Sequence, residues 1–121
     1  MKLKKARIVV ESLEEINKRW VKALKGKKKS KKGEEVISIA SWDILGRLLS
    51  TPRLQILAMI PYLKPKSIAE LARKMKKDFK NVYSDVKFLA GLGLIDLQEK
   101  GPKKNLVPIA KFGEIELPLA A

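Results

Sequence analysis

Ser67-Ile68-Ala69-Glu70-Leu71-Ala72-Arg73-Lys74-Met75-Lys76-Lys77-Asp78-Phe79-Lys80-Asn81-Val82-Tyr83-Ser84-Asp85-Val86-Lys87-Phe88-Leu89-Ala90-Gly91 decides how this chain folds, because it carries two helix starts within one short span. Ser67 and Glu70 stand at the spacing by which a cap hydroxyl and a reciprocal carboxylate satisfy the first free amides of a helix. Ile68, Leu71, Ala72 and Met75 follow at i, i+3, i+4, i+7, which makes one apolar stripe on a short helix. Lys76-Lys77 offers a turn, and Asp78 caps a second helix reaching about residue 90. On that helix Phe79, Val82, Val86 and Leu89 share a side and are expected to pack on the preceding helices. Lys80, Asn81, Ser84 and Lys87 share the other, with Tyr83 at its edge. Gly91 and Gly93 supply the left-handed stop.

Outward from this core, the C-terminal side reads as a hairpin. Leu94, Ile95 and Leu97 begin one strand, and Leu106, Val107 and Ile109 resume another. Between them the tip, residues 100–105, holds Lys100, Lys103 and Lys104 around Gly101 and Pro102. Helix, turn, helix and hairpin in this order predict a helix-turn-helix followed by a β-wing, with Phe88 packed beneath the wing. Residues 112–117 add a last strand.

On the N-terminal side Thr51 is expected to cap a helix whose first position is Pro52. Leu54, Leu57 and Ile60 face its core, and Pro61 with Pro65 closes it. A short helix covers 43–49, with Trp42 in the core. Farther out lie a strand over 6–10 and a helix opened by the capping box of Ser12 and Glu15. Leu13, Ile16, Trp20 and Leu24 share one face of that helix through Lys25. Residues 26–35 hold Lys27, Lys28, Lys29, Lys31 and Lys32 without an apolar anchor and read as a loop. A strand over 36–40 follows. The expected fold is α+β: an N-terminal strand-helix-strand extension (1–40) joined to a winged helix-turn-helix domain (41–121).

The chain has 121 residues, 27 of them basic and 13 acidic, for a net charge of +14, which points to a polyanionic partner. The high lysine and glutamate content also fits a protein from a hot environment, although thermophiles usually balance the two signs. Cysteine and histidine are absent, which excludes disulfides and removes the commonest metal ligand and general base. The apolar run after Lys5 is too short for an export signal, and nothing approaches a membrane span. A cytoplasmic protein without metal or cofactor is expected.

The outer face of the second helix suits a major groove. Asn81 can pair bidentately with adenine, Lys80 and Lys87 can reach guanine or phosphate, and Tyr83 and Ser84 can bond phosphate oxygens. Residues near the helix N-terminus usually meet bases, so Lys80, Asn81 and Ser84 are the base-edge candidates. Lys76 and Lys77 in the turn, and Lys100, Lys103 and Lys104 at the tip, are backbone or minor-groove candidates. The acids near this face have structural readings: Asp78 as a cap, Asp85 paired with a neighbouring lysine. With no nucleophile constellation or phosphate-binding glycine loop, catalysis is rejected.

Ser67-Ile68-Ala69-Glu70-Leu71-Ala72, then Lys80-Asn81-Val82-Tyr83-Ser84-Asp85-Val86-Lys87-Phe88-Leu89, then Gly91-Leu92-Gly93-Leu94-Ile95, resembles the winged helix-turn-helix transcriptional regulators of MarR/ArsR-like type found in archaea and thermophilic bacteria. Thr51-Pro52-Arg53-Leu54 and the segment around Val107-Pro108 share the likeness, which spans nearly the whole chain. The resemblance implies a dimeric, sequence-specific repressor of double-stranded DNA, and for some relatives an antitoxin that binds a small toxin and represses its own operon. Ser84 stands where such proteins often carry arginine, Tyr83 where they often carry histidine, and Lys76 where glycine commonly makes the turn.

Ile16, Trp20 and Leu24 are candidates for a dimer or partner surface, and equally for covering the domain's own core. The alternative function is a non-specific architectural DNA-binder, which the lysine loop favours. RNA binding lacks an aromatic platform. A protein-interaction module with an acidic partner would call for a wing that is not basic.

Overall fold

A computed structural model of the chain describes residues 3–11, 14, 18 and 33–119. The elements run β1 (Lys4–Val10), β2 (Glu34–Ile39), α1 (Trp42–Leu48), α2 (Thr51–Leu63), α3 (Ile68–Met75), α4 (Phe79–Gly91), β3 (Ile95–Lys100), β4 (Asn105–Ala110) and β5 (Phe112–Glu116). This is an α+β arrangement with two sheets. The helix expected from Ser12 to Lys25, with Leu13, Ile16, Trp20 and Leu24, and the lysines of 27–32 lie outside the described residues. Of that helix Glu14 and Lys18 are described; both are helical and pair at 3.5 Å.

The larger sheet has the order β2-β1-β5 and is parallel throughout, with Ile8 beside Ile37 and Arg7 beside Glu116. Parallel neighbours cannot be joined by a tight turn, so β1 and β2 need the long connection between them. The last strand returns to the first, so β1 lies between β2 and β5. Ala6, Ile8, Ile37 and Ile39 belong to the same buried cluster as Leu45, Leu48, Ile56, Leu71 and Leu89. Strand β2 starts at Glu34, two residues inside the expected loop, because Glu34 and Glu35 pair in register with Lys5 and Ala6.

Alternation explains the sheet's two faces. Ala6 and Ile8 are fully buried beneath the helices, while Lys5 and Arg7 alternate with them and meet acids. Lys5 Nζ donates to Glu116 Oε2 at 2.9 Å and lies 3.3 Å from Glu34 Oε2, and Arg7 Nη1 donates to Glu116 Oε1 at 2.7 Å. The central strand is thus tied electrostatically to both neighbours. The Lys5 ammonium is held above its ordinary value by the Glu116 and Glu34 carboxylates.

Helix α2 departs from the sequence reading in its phase. Ile56 and Ile60 are its buried residues and Leu54 is exposed. A helix apolar on nearly every side gives periodicity no phase to report. Ser50, not Thr51, is the N-cap, without a side-chain hydrogen bond, and Pro61 lies inside the helix, which continues to Leu63 and ends at left-handed Lys64. Trp42, expected in the core, is 64% exposed. It opens α1 directly after the Ser41 cap, and a helical side chain projects toward the N-terminus, here past the end of the buried stripe of Leu45 and Leu48.

Candidate nucleic-acid interface

Helices α3 and α4 are set by local hydrogen bonds. Ser67 Oγ accepts the Glu70 amide at 3.0 Å, and the Glu70 carboxylate accepts the Lys66 amide at 3.3 Å, one residue before the cap position of a reciprocal box. Lys74, at 3.2 Å, holds the Glu70 carboxyl below its ordinary value. Helix α3 closes at Lys76, whose φ of 57° is left-handed, with the Lys77 amide donating to the Ala72 carbonyl at 3.0 Å. Asp78 then caps α4 by accepting the Asn81 amide at 3.3 Å. The connection is therefore tight because two helix ends share it.

Val82, Val86 and Leu89 anchor α4, and Ile68, Leu71 and Ala72 anchor α3. Phe79 is not in that core. It is 49% exposed and meets Tyr83 in a tilted contact, ring centroids 5.8 Å apart and planes at 40°, having the same first-position geometry as Trp42. Phe88, expected beneath the wing, is half-buried against the core, and the Arg53 guanidinium of α2 lies 3.9 Å from its ring centroid. The same guanidinium donates to Asp85 Oδ1 at 3.1 Å and to the Arg47 carbonyl. Asp85 is thus paired with Arg53, not with a lysine, because it lies on the flank of α4 that faces α2.

With the inner face fixed, Lys80, Ser84 and Lys87 stand at i, i+4, i+7 on the opposite side, all exposed. Asn81 occupies one flank. With Ser84, Asp85, Lys77 and Pro52 it lines a cleft of about 350 Å³ between the start of α2 and the α3–α4 turn. Tyr83 occupies the other flank with Phe79. The sequence candidates on α4 therefore divide into a central stripe and two edges, and Lys76 and Lys77 extend the stripe toward the turn.

The helix ends at Gly91 with Leu92 as its cap, and of the two glycines expected to stop it only Gly93 is left-handed, with φ at +86°; a Cβ there would lie 3.6 Å from Ile37 Cδ1. The chain passes directly into the β3–β4 hairpin, in which Ile95 opposes Ala110 and Lys100 opposes Asn105. Gly101 and left-handed Lys104 form the tip, closed by the Lys104 amide donating to the Gly101 carbonyl at 3.0 Å. Lys100, Lys103 and Lys104 are all exposed there.

The charges sort into two populations. The ion pairs among the described residues use Lys5, Arg7, Lys18, Arg53, Arg73, Lys74 and Lys111. Lys76, Lys77, Lys80, Lys87, Lys100, Lys103 and Lys104 take none of these acids, and neither do Lys4, Arg47, Lys64 and Lys66, which stand elsewhere. Sequence reasoning missed Arg53, the side chain that fixes α4 against α2. Its signal was faint: an arginine beside Pro52, in a helix where it is the one charged residue. Among the described residues no cluster of acids suited to a metal ion is found, and no helix is long and apolar enough to cross a membrane.

The model of the family HVO_A0114 matches residues 48–117. The chain belongs to the HVO_A0114 family. The matched span takes in α2, α3, α4, the hairpin and β5, so every residue of the cationic face just described lies inside the family's own region. A comparison with curated proteins finds no match.

Proposed function

We propose that this HVO_A0114-family protein is a sequence-specific double-stranded DNA-binding transcriptional regulator, with α3 and α4 acting as a helix-turn-helix and β3–β4 as its wing. In this reading α4 docks in the major groove and the tip at 100–105 meets the backbone or minor groove. The observation that carries it is the exposed stripe Lys80–Ser84–Lys87 on a helix pinned from behind by Val82, Val86, Leu89 and the Arg53–Asp85 pair. A groove-reading helix must present donors outward while its axis is held rigidly, and α4 meets both needs. Asn81, Tyr83, Lys76 and Lys77 widen the contact on either side, and Lys100, Lys103 and Lys104 supply cations for phosphates.

Two copies related by a two-fold axis would set their α4 helices in successive major grooves, about 34 Å apart, on an imperfect palindrome. Trp42, Leu49, Leu54 and Tyr62, each exposed on or next to α1 and α2, are the candidates among the described residues for meeting a second copy.

Duplex binding measured by fluorescence anisotropy across a salt series tests the reading. The DNA upstream of the protein's own gene is compared with a scrambled duplex of equal length. A preference of about a thousandfold that persists at physiological salt is expected. Equal affinities that fall together as salt rises would identify a non-specific architectural binder.

A further inference from the structure

The flank of α4 away from the Arg53–Asp85 pair is aromatic. Phe79 and Tyr83 stand there one turn apart, both exposed, and meet in the tilted contact described above, ring centroids 5.8 Å apart. Phe79 takes no part in the buried cluster that anchors the helix. Lys87 follows Tyr83 after four residues and Lys80 precedes it by three, so the aromatic edge runs directly into the exposed cationic stripe. We propose that this edge reads the 5-methyl group of thymine in the major groove, with Phe79 as the contacting side chain and Tyr83 as its support. The inference rests on the duplex-binding reading above and names the base feature that the apolar part of α4 selects.

Position, chemistry and rigidity support it. Phe79 is the first residue of α4, directly after the Asp78 cap, and residues at the start of a groove-entering helix are those that meet base edges. A phenyl ring has neither donor nor acceptor, so it gains nothing from the nitrogens and oxygens that base pairs present in the major groove. The one apolar group displayed there is the 5-methyl of thymine. The ring is placed before the groove arrives: Val82, Val86 and Leu89 fix α4 from behind, and Tyr83 backs Phe79 from the next turn. Little side-chain entropy is then lost on contact, because a phenyl ring turns about two bonds only. Tyr83 has an apolar body and a polar tip, and its hydroxyl suits a phosphate oxygen bordering the same groove. On the opposite flank Asn81 offers the amide that pairs with adenine. The two edges of α4 therefore favour A·T pairs through different groups, a hydrogen-bonding amide and an apolar ring.

The test uses the full chain, fluorescence anisotropy and three duplexes: the DNA upstream of the protein's own gene, the same duplex with deoxyuridine for every thymidine, and the scrambled duplex. Uracil keeps the base pairing and the O4 acceptor of thymine and lacks only the methyl. The thymine duplex is expected to bind about fifteenfold more tightly than the uracil duplex, about fourfold for each methyl buried in two half-sites. Phe79→Ala, which truncates an exposed ring, is expected to keep its thermal midpoint and to bind the thymine and uracil duplexes alike. Equal affinity of the wild type for both, with both still preferred to the scrambled duplex, would overturn the methyl contact and leave the regulator standing. A uracil penalty undiminished in Phe79→Ala would assign the methyl to another group and overturn the proposal as well. Three equal affinities would remove the sequence-specific regulator itself, and this inference with it.

Discussion

The parallel sheet and the α4–hairpin face use the same residue type in opposite ways. In the sheet, Lys5 and Arg7 alternate with buried Ala6 and Ile8 and are met by Glu34 and Glu116 across the neighbouring strands. On the other face, Lys80, Lys87, Lys103 and Lys104 stand outward and the described ion pairs go to other cations. Charge in the first region is spent on holding strands together. In the second it remains available to something outside the chain. Among the described residues, α4 and the hairpin tip thus present cations that these ion pairs leave uncompensated.

Two variants that each remove two positive charges break this comparison most directly. Lys80→Ala/Lys87→Ala is expected to weaken duplex binding about a hundredfold at 0.1 M salt, since each lost phosphate contact takes about one unit from the salt slope. Its thermal midpoint should stay with the wild type, because both side chains are exposed. Undiminished affinity, measured by anisotropy, would show that α4 does not face DNA.

Next in size is Arg53→Ala, which strands the partly buried Asp85 carboxylate and uncovers Phe88. A loss of about 2 kcal/mol in urea unfolding is expected, the scale of a charged hydrogen bond broken on one side. A variant as stable as the parent would mean that α4 is positioned by its apolar face alone.

The sheet counterpart, Lys5→Ala/Arg7→Ala, removes the same charge as the first pair but should do the reverse. Its thermal midpoint is expected to fall by a few degrees, with the screening usual for part-exposed pairs, while the salt slope of duplex binding is unchanged. A flattened slope would place the sheet in the nucleic-acid contact.

The smallest effect concerns pH. Because Glu70 is held below its ordinary value of 4.5 by Lys74, the stability it contributes is complete above that value and is lost as pH falls through the lowered one. Lys5, held above 10.5, behaves in mirror image: its contribution is complete below that value and is lost as pH rises through the raised one. Glu70→Gln should therefore reduce the acid sensitivity of unfolding and leave its alkaline limb alone. Identical acid limbs would show that the Lys74 pair is not coupled to folding.

The comparison also separates what could be read from the chain from what could not. The caps at Ser67 and Asp78, the stripe of Ile68, Leu71 and Ala72, and the hairpin around Gly101 were legible because each is specified within a few residues. The outward placing of Lys80, Ser84 and Lys87 was legible for the same reason, since a helix with a marked apolar face leaves no choice of the other. Phe79 and Trp42 were misread because periodicity assigns a side to an aromatic residue but does not say where the core ends along the helix axis. Leu54 was misread in favour of Ile56 because α2 is apolar nearly all round, and Asp85 because its partner lies on another helix.

By itself, then, the sequence determined the order and type of the elements from residue 41 onward and the cationic face of α4, through signals carried by hydrogen bonds and side-chain spacing inside one turn or two. Only the tertiary structure decided that β5 lies parallel to β1, that Lys5 is neutralised by Glu116 at a separation of 111 positions, and that Arg53 locks α4. Such pairings depend on which distant strand or helix arrives alongside. Local propensity cannot select among partners that become neighbours only once the common core of Ala6, Ile8, Leu71 and Leu89 has formed.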